Sequence, residues 1–501
     1  MARSADVIVD VSPLDAPTVN VPLRIGWLLR TSRLNPRTLP ALPANRFATE
    51  LGVGPAAITK WEKGSEDVDA VNIEGYERLI GLPAGSLRGL IEITRRSFRY
   101  PPNPRLAPPA PPGGLEELSD LVWPAMHGRP AGIDWLHFAD ALNADGPLFL
   151  PAFTAAPVID RLASELARSV DAAYLTRYEA MARLRTGRYR DVALHSLLDF
   201  ALADDAQVCI DLLDVAGELP SAELFETMCE LLVDPSPAVF KGACHSIGNM
   251  AALGGISKTE MRDLVPLLVR AYNAVSDDPR RHRDMSELLR NLPRGVQDTA
   301  RQRLGRAPAP APTQDAGASR DGPAYRAMVS LSADIRRELP TRENPMLERL
   351  LFEAMFDPMW NKRYIASLFL IAVPYKEIVS HHVARLAEAH PSRGVRDAAV
   401  AFSMRLGSSS ALAGAEAWAR SGDPLRQVPG LVTLGHWATD IDRDLLELAL
   451  RADGEVGRRS LYAAGMSGNP VLRQWADDAA RPAWLRAGAR WWLRVGSRVT
   501  V

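Results

Sequence analysis

The chain has 501 residues, with 59 Lys and Arg against 60 Asp and Glu and a formal charge of −1. Apolar residues make up 47% and charged residues 24%, which excludes a mostly disordered chain, a collagen-like chain and a supercharged nucleic-acid coat. Three cysteines, Cys209, Cys229 and Cys244, none in a CxxC pair, exclude a disulfide scaffold and a cysteine-rich zinc centre, and predict a reducing compartment. No signal-peptide pattern opens the chain and no apolar run is long enough to span a bilayer, so a cytoplasmic location and no membrane contact are expected. Only six of the basic residues are lysine, a bias that points to a GC-rich genome.

In chain order, residues 1–21 are expected as a flexible tail. Residues 22–98 read as a small helical module. Two proline-rich stretches, YPPNPRLAPPAPPGG at 100–114 and RAPAPAPTQDAGASRDGP at 306–323, cannot form helices and are expected as exposed linkers, the first of them covering 99–114. They leave helical segments at 115–305 and 324–501. Both show Ala/Leu/Arg/Glu-rich runs with apolar residues at i, i+3 and i+4, cut at intervals by Gly, Pro or Asp.

Within the first module the informative stretch is FATELGVGPAAITKWEKG, Phe47 to Gly64. Phe47, Ala48 and Leu51 make one apolar face of a short helix. Gly52 suits its left-handed end, and Val53 plugs the turn. Gly54 and Pro55 suit the start of a second helix, with Ile58 and Trp61 as its buried stripe. Small Ala48 lets the helices cross closely. Flanking helices are predicted over Leu23 to Leu34, Asn72 to Ile80 and Ser86 to Ile93.

The stretch resembles the helix-turn-helix of the Cro/C1-type (Xre) family of transcriptional regulators. Ala48, Gly52–Val53, Ile58 and the ending Trp61, Glu62, Gly64 carry the resemblance, together with Leu29, Arg30 and Arg33 on the first helix. It covers about residues 22–95 and implies a five-helix lambda-repressor-like domain. It also implies that the second helix of the motif enters the major groove of double-stranded DNA. By position, Pro55, Ala56, Thr59 and Lys60 then face base edges. Lys60 could donate to guanine O6 and N7, a contact worth about 1–3 kcal/mol of discrimination. Asn45, Arg46 and Lys63 face the phosphate backbone. Arg33 and Glu62 form a structural brace. The chain departs from the pattern in having Ala44 where the family has glutamine. The connection from Arg33 to Phe47 is longer than usual and carries Pro36, Pro40 and Pro43. Pro55 and Ala56 offer no base hydrogen bonds, so readout rests on Lys60 and a dimer is expected. Residues 22–100 hold 12 basic and 8 acidic side chains, a weak basic balance.

The two larger segments resemble degenerate HEAT-type repeats over parts of 190–300 and 345–501. Turn residues at Asp234, Asp357, His390 and Asp453 each precede a basic residue and an apolar helical run. A lone helix pair cannot bury its stripe, so stacking follows. The expected class is all-α, a helix-turn-helix domain followed by a helical solenoid serving oligomerisation, effector sensing or partner binding. A non-repetitive bundle is the alternative fold. Arg396, Arg458, Arg459 and Arg486 are expected to brace adjacent repeats rather than grip DNA. Trp475, Trp484, Trp491 and Trp492 are expected to fill the end of the stack. Asp442 and its neighbours are expected to cap a helix near Leu445 rather than bind calcium. Nine scattered histidines form no metal signature, and no nucleotide or hydrolase motif occurs in a fitting context, so no catalytic residue, cofactor or metal is expected. Two other functions stay open: a protein–protein scaffold whose first module does not read DNA, and a DNA-repair enzyme using the helical arms.

Overall fold

The computed structural model describes residues 10–500 apart from 11, 15, 38–40, 107–113, 145–149, 235, 276, 309–321, 340–344 and 453. Residues 1–9 of the expected tail, 107–113 of the first proline-rich linker, 309–321 of the second, Pro40 and Asp453 therefore lie outside the described residues. Every regular element among the described residues is helical, and Ser169 and Val499 form an isolated parallel bridge. No described helix is long and apolar enough to cross a membrane.

The first five helices are α1 (Val21–Leu34), α2 (Ala44–Leu51), α3 (Pro55–Glu62), α4 (Ala70–Ile80) and α5 (Ser86–Ser97). The next group runs α6 (Leu115–His127), α7 (Gly132–Asn143), α8 (Ala152–Ala167), α9 (Ala172–Thr186), α10 (Arg190–Ala201), α11 (Ile210–Ala216), α12 (Ala222–Glu230), α13 (Pro237–Leu253), α14 (Lys258–Asp263), α15 (Val265–Ala274), α16 (Pro279–Asn291) and α17 (Arg294–Arg301). The last comprises α18 (Pro323–Arg337), α19 (Pro345–Phe356), α20 (Trp360–Ala372), α21 (Lys376–Ala389), α22 (Arg393–Leu406), α23 (Leu412–Arg420), α24 (Pro424–Trp437), α25 (Arg443–Arg451), α26 (Glu455–Ser467), α27 (Val471–Asp477) and α28 (Ala483–Val495).

Successive helices pair: α19 with α20, α21 with α22, α23 with α24, α25 with α26, α27 with α28. Each pair leaves one apolar stripe open, and α20, α22, α24, α26 and α28 close it by stacking on one another in order. A comparable layer of α9, α11, α13 and α16 runs through the first half, and α9 also meets α20. The turn residues at Asp234, Asp357 and His390 lead into α13, α20 and α22 as expected. Asp442 accepts the Asp444 N–H at 3.0 Å and caps α25. Trp475, Trp491 and Trp492 are buried in the final pairs, whereas Trp484 is exposed. Two of the four arginines, Arg396 and Arg459, depart from expectation. Arg396 donates to the carbonyls of His390 and Pro391, and Arg459 pairs with Glu455, so both act within their own turn and not between repeats.

Three boundaries also differ from expectation. One core cluster runs from Leu14 to Leu406 and takes in Trp418, and a second gathers Val170 with residues from Ala415 to Trp492. The core therefore changes hands near residue 410, and 306–323 is no core boundary. The described residues among 10–20 are no free tail: Asp10 is 2% exposed and Leu14 is buried against the body. The described part of the first linker is anchored too. Asn103 donates to the Val68 carbonyl at 2.8 Å, and Leu106 is buried.

The reason is the outer surface of the first bundle. Arg24 on α1 donates to both oxygens of Glu353 on α19, at 2.7 and 2.8 Å, and to Asp10 at 2.9 Å. Thr31 meets the Tyr375 hydroxyl at 3.0 Å, and Trp27 packs on Phe369. On α5, a Cβ at Gly89 would lie 2.7 Å from the Leu175 carbonyl, so α5 lies almost backbone to backbone on α9. Arg88 pairs with Asp140 and Arg96 with Glu179, both at 2.7 Å. The five-helix unit is built into the larger body through α1 and α5.

Candidate nucleic-acid interface

α2 ends at Gly52, whose φ of +69° closes the helix, and α3 begins three residues later behind Gly54. Phe47, Ala48, Ile58 and Trp61 turn inward and are buried. Tyr76 of α4 seals them, edge-on to Phe47 at 4.6 Å and to Trp61 at 6.4 Å. The end of α3 is pinned to α1. A Cβ on Gly26 would lie 2.6 Å from the Glu62 carbonyl, and one on Gly64, at φ +67°, would lie 2.3 Å from that of Pro22. Arg33 and Glu62 form a buried bidentate pair at 2.5 and 2.7 Å, in the bracing position expected. Arg33 also donates to the Leu42 carbonyl at 2.8 Å, which fixes the long connection into α2. Burial opposes the Arg33 charge, but the Glu62 carboxylate outweighs it and holds the guanidinium above its ordinary value.

The structure places all seven expected contact residues on the exposed side. Asn45 and Arg46 are exposed at the start of α2, and Pro55, Ala56, Thr59, Lys60 and Lys63 are exposed on α3 and just past it. The main packing partners of α2 and α3 are each other, α1 and α4. The outer face of α3 is therefore not covered by the solenoid.

Two features lay beyond the sequence reading. The Lys60 ammonium donates to Glu66 at 3.1 Å, with the side chain still 58% exposed. Glu66 is held in turn by Arg105 at 2.7 Å, and the Arg105 and Lys60 hydrogen bonds draw its carboxyl below the ordinary value. The second feature is that Thr59 spends its hydroxyl on the Pro55 carbonyl at 3.1 Å. Arg46, by contrast, forms no hydrogen bond or ion pair among the described residues.

Neither a scan against family models nor a search of curated proteins gives a match. Among solved structures, an engineered protein aligns at 15% identity and a TM-score of 0.22, covering 75% of this chain and 98% of that one. A chain from a structure of microtubule polymerases with TOG domain arrays aligns at 12% identity and a TM-score of 0.25, covering 84% and 93%.

Proposed function

We propose that this chain is a sequence-specific DNA-binding transcriptional regulator of the bacterial cytoplasm, with α3 docking in the major groove and the helical remainder serving assembly, effector sensing or partner binding. One observation carries the reading: α3 buries Ile58 and Trp61 while Pro55, Ala56, Thr59 and Lys60 stand exposed on a face that the body leaves open. The mechanism is occupancy of an operator, without a chemical step. Lys60 is the main source of base discrimination, and Arg46 with Asn45 and Lys63 supplies phosphate contacts whose strength falls with salt. With so few base contacts per copy, two copies on a two-fold site are needed for useful affinity.

Selection of bound duplexes from a random pool, followed by mobility shifts at matched salt, tests this. Lys60→Ala is expected to relax sequence preference, and Arg46→Ala to weaken binding to all duplexes alike. If both variants bind as the wild type does, α3 is not the reading helix. A second reading is a helical scaffold whose first module does not read DNA. It is favoured by the Lys60–Glu66 pair, which occupies the main base-reading donor. Selective duplex binding at near-physiological salt would exclude it.

A further inference from the structure

Basic side chains collect on the outer surface of α14, α15 and α17. Residues 258–274 and 293–306 hold seven basic and three acidic side chains, in a chain whose whole balance is −1. Helical packing sets the arrangement. α15 buries Val265, Leu268, Val269 and Tyr272, which leaves Arg270 outward. α17 buries Val296 and Ala300, which leaves Arg294 and Arg301 outward. The three helices pack on one another. A Cβ on Gly295 would lie 3.7 Å from the Arg262 guanidinium, so Arg262 of α14 sits beside the start of α17. At the other end, Asn273 accepts the Gly305 N–H at 3.0 Å, which brings the chain around Arg303 to the end of α15.

Arg262, Arg270, Arg294 and Arg303 are all exposed, and their guanidinium groups make no hydrogen bond or ion pair among the described residues. One such arginine needs no partner. Several on one surface raise its potential together and attract a polyanion. Of the three acids among them, Glu260 is committed to the Ser257 capping box and Asp298 to Arg301.

The segment after α5 joins this surface to the α3 corner. Arg99, at φ +51°, donates to the carbonyls of Ala252 and Ala251 at the end of α13, at 2.5 and 3.1 Å, just before α14. Its neighbour Tyr100 lines an open groove of about 570 Å³ together with Lys63 and Gly64 from the end of α3. Arg294 and Arg301 are about 10 Å apart along α17. A duplex presents one phosphate charge for about every 1.7 Å of its axis, so that length meets several.

We propose that the outer surface of α14, α15 and α17 is a second DNA contact, which holds the phosphate backbone of the duplex where it leaves α3. It adds affinity without sequence preference, since phosphates carry no base identity. This rests on α3 docking in the major groove as proposed above.

Anisotropy titrations of the full chain test it with two duplexes. One is the site that selection returns, and the other is that site extended on each side by about two helical turns, roughly 20 base pairs. The wild type is expected to bind the extended duplex about tenfold more tightly. The triple variant Arg262→Gln, Arg270→Gln, Arg294→Gln is expected to lose that gain while keeping the wild-type sequence preference. The slope of its log affinity against log salt should flatten by about 2–3 on the extended duplex. All three positions are exposed and unpaired, so the variant is expected to fold normally, as circular dichroism checks. A control, Arg443→Gln, Arg451→Gln, Arg473→Gln, removes the same charge from exposed positions on α25 and α27 and is expected to keep the gain. No gain from extension, a triple variant that retains it, or a control that loses it equally would overturn the second contact and leave α3 as the reading helix. A wild type that binds no duplex would overturn both.

Discussion

At the scale of single residues, the fate of α3 turns on a competition for one ammonium group. Ser65 donates its N–H back to the Lys60 carbonyl at 3.0 Å, and Gly64 takes φ +67°. This turn folds the chain back so that Glu66 reaches Lys60. DNA must displace Glu66 to claim the lysine, and a carboxylate beside a phosphate backbone is repulsive. Glu66→Gln is therefore expected to tighten duplex binding several-fold at low salt, with the gain shrinking as salt rises, in a titration by fluorescence anisotropy. Equal affinity for the two proteins at all salt concentrations would show that Lys60 does not approach the duplex. Gly64 tests the same corner from the stability side. Any Cβ there meets the Pro22 carbonyl at 2.3 Å and carries the strain of positive φ. Gly64→Ala should cost more than about 1 kcal/mol by thermal or denaturant melting. The inward residues of this corner were legible, because Ile58 and Trp61 obey helical spacing and Gly52 marks a helix end. Glu66 was not, since its role depends on a turn whose backbone geometry the spacing alone does not give.

At the scale of elements, α1 does two jobs. One face packs in the bundle, and the other buries an ionic cluster in which Arg24, Arg349 and Lys362 meet Asp10, Glu353 and Asp357. Burial opposes the charge on Glu353, but Arg24, then Lys362 and Arg349, hold it below the ordinary carboxylate range, and Asp10 is lowered in the same way. A depressed carboxyl contributes stability above its unfolded pKa and loses it as pH falls through the folded one. The protein should therefore weaken below about pH 4, as these groups protonate. Glu353→Gln keeps the shape but strands buried guanidinium groups, and should cost about 3–5 kcal/mol in chemical denaturation. Arg494→Ala, which removes an exposed partner of Asp205, should cost less than about 1 kcal/mol in the same assay. Glu92 on α5 has the opposite sign. Burial, then the neighbouring Glu179, pushes its carboxyl up to about 7. Its forced ionisation costs stability as pH rises from the unfolded value toward neutrality, so Glu92→Gln should flatten the fall in melting temperature between pH 5 and 7. The sequence marked where α1 ends, at Leu34, and which of its residues are apolar, although the helix begins at Val21, two residues before the expected Leu23. It could not show that Arg24 finds Glu353, because that partner lies 329 positions away.

At the scale of the molecule, the proline-rich stretches misled for a physical reason. They mark where the chain cannot be helical, whereas a domain boundary is set by which helices share a core. The first core takes in residues on both sides of the second stretch, from Leu14 to Leu406 and Trp418, and the real change comes between about 406 and 419, marked in the sequence only by the short run Gly407 to Ser410. The same logic decides whether the five-helix unit is a module on a tether. Its α1 and α5 present Trp27, Arg24, Gly89 and Arg96 to the body, so an excised piece exposes apolar surface it normally buries, at about 1.5–3 kcal/mol for each large side chain. A fragment spanning residues 18–106 is therefore expected to melt well below the full chain and with weaker cooperativity, as followed by circular dichroism. Within the intact protein, its amides on α1 and α5 should exchange as slowly as those of α9 and α20, because opening the unit means opening the core that all four share. A fragment as stable as the whole chain would mean that the ionic and apolar seams contribute nothing and the unit swings freely. If the seam holds, the body fixes the orientation of α3, and two copies could then read two half-sites only at the separation that their paired bodies impose.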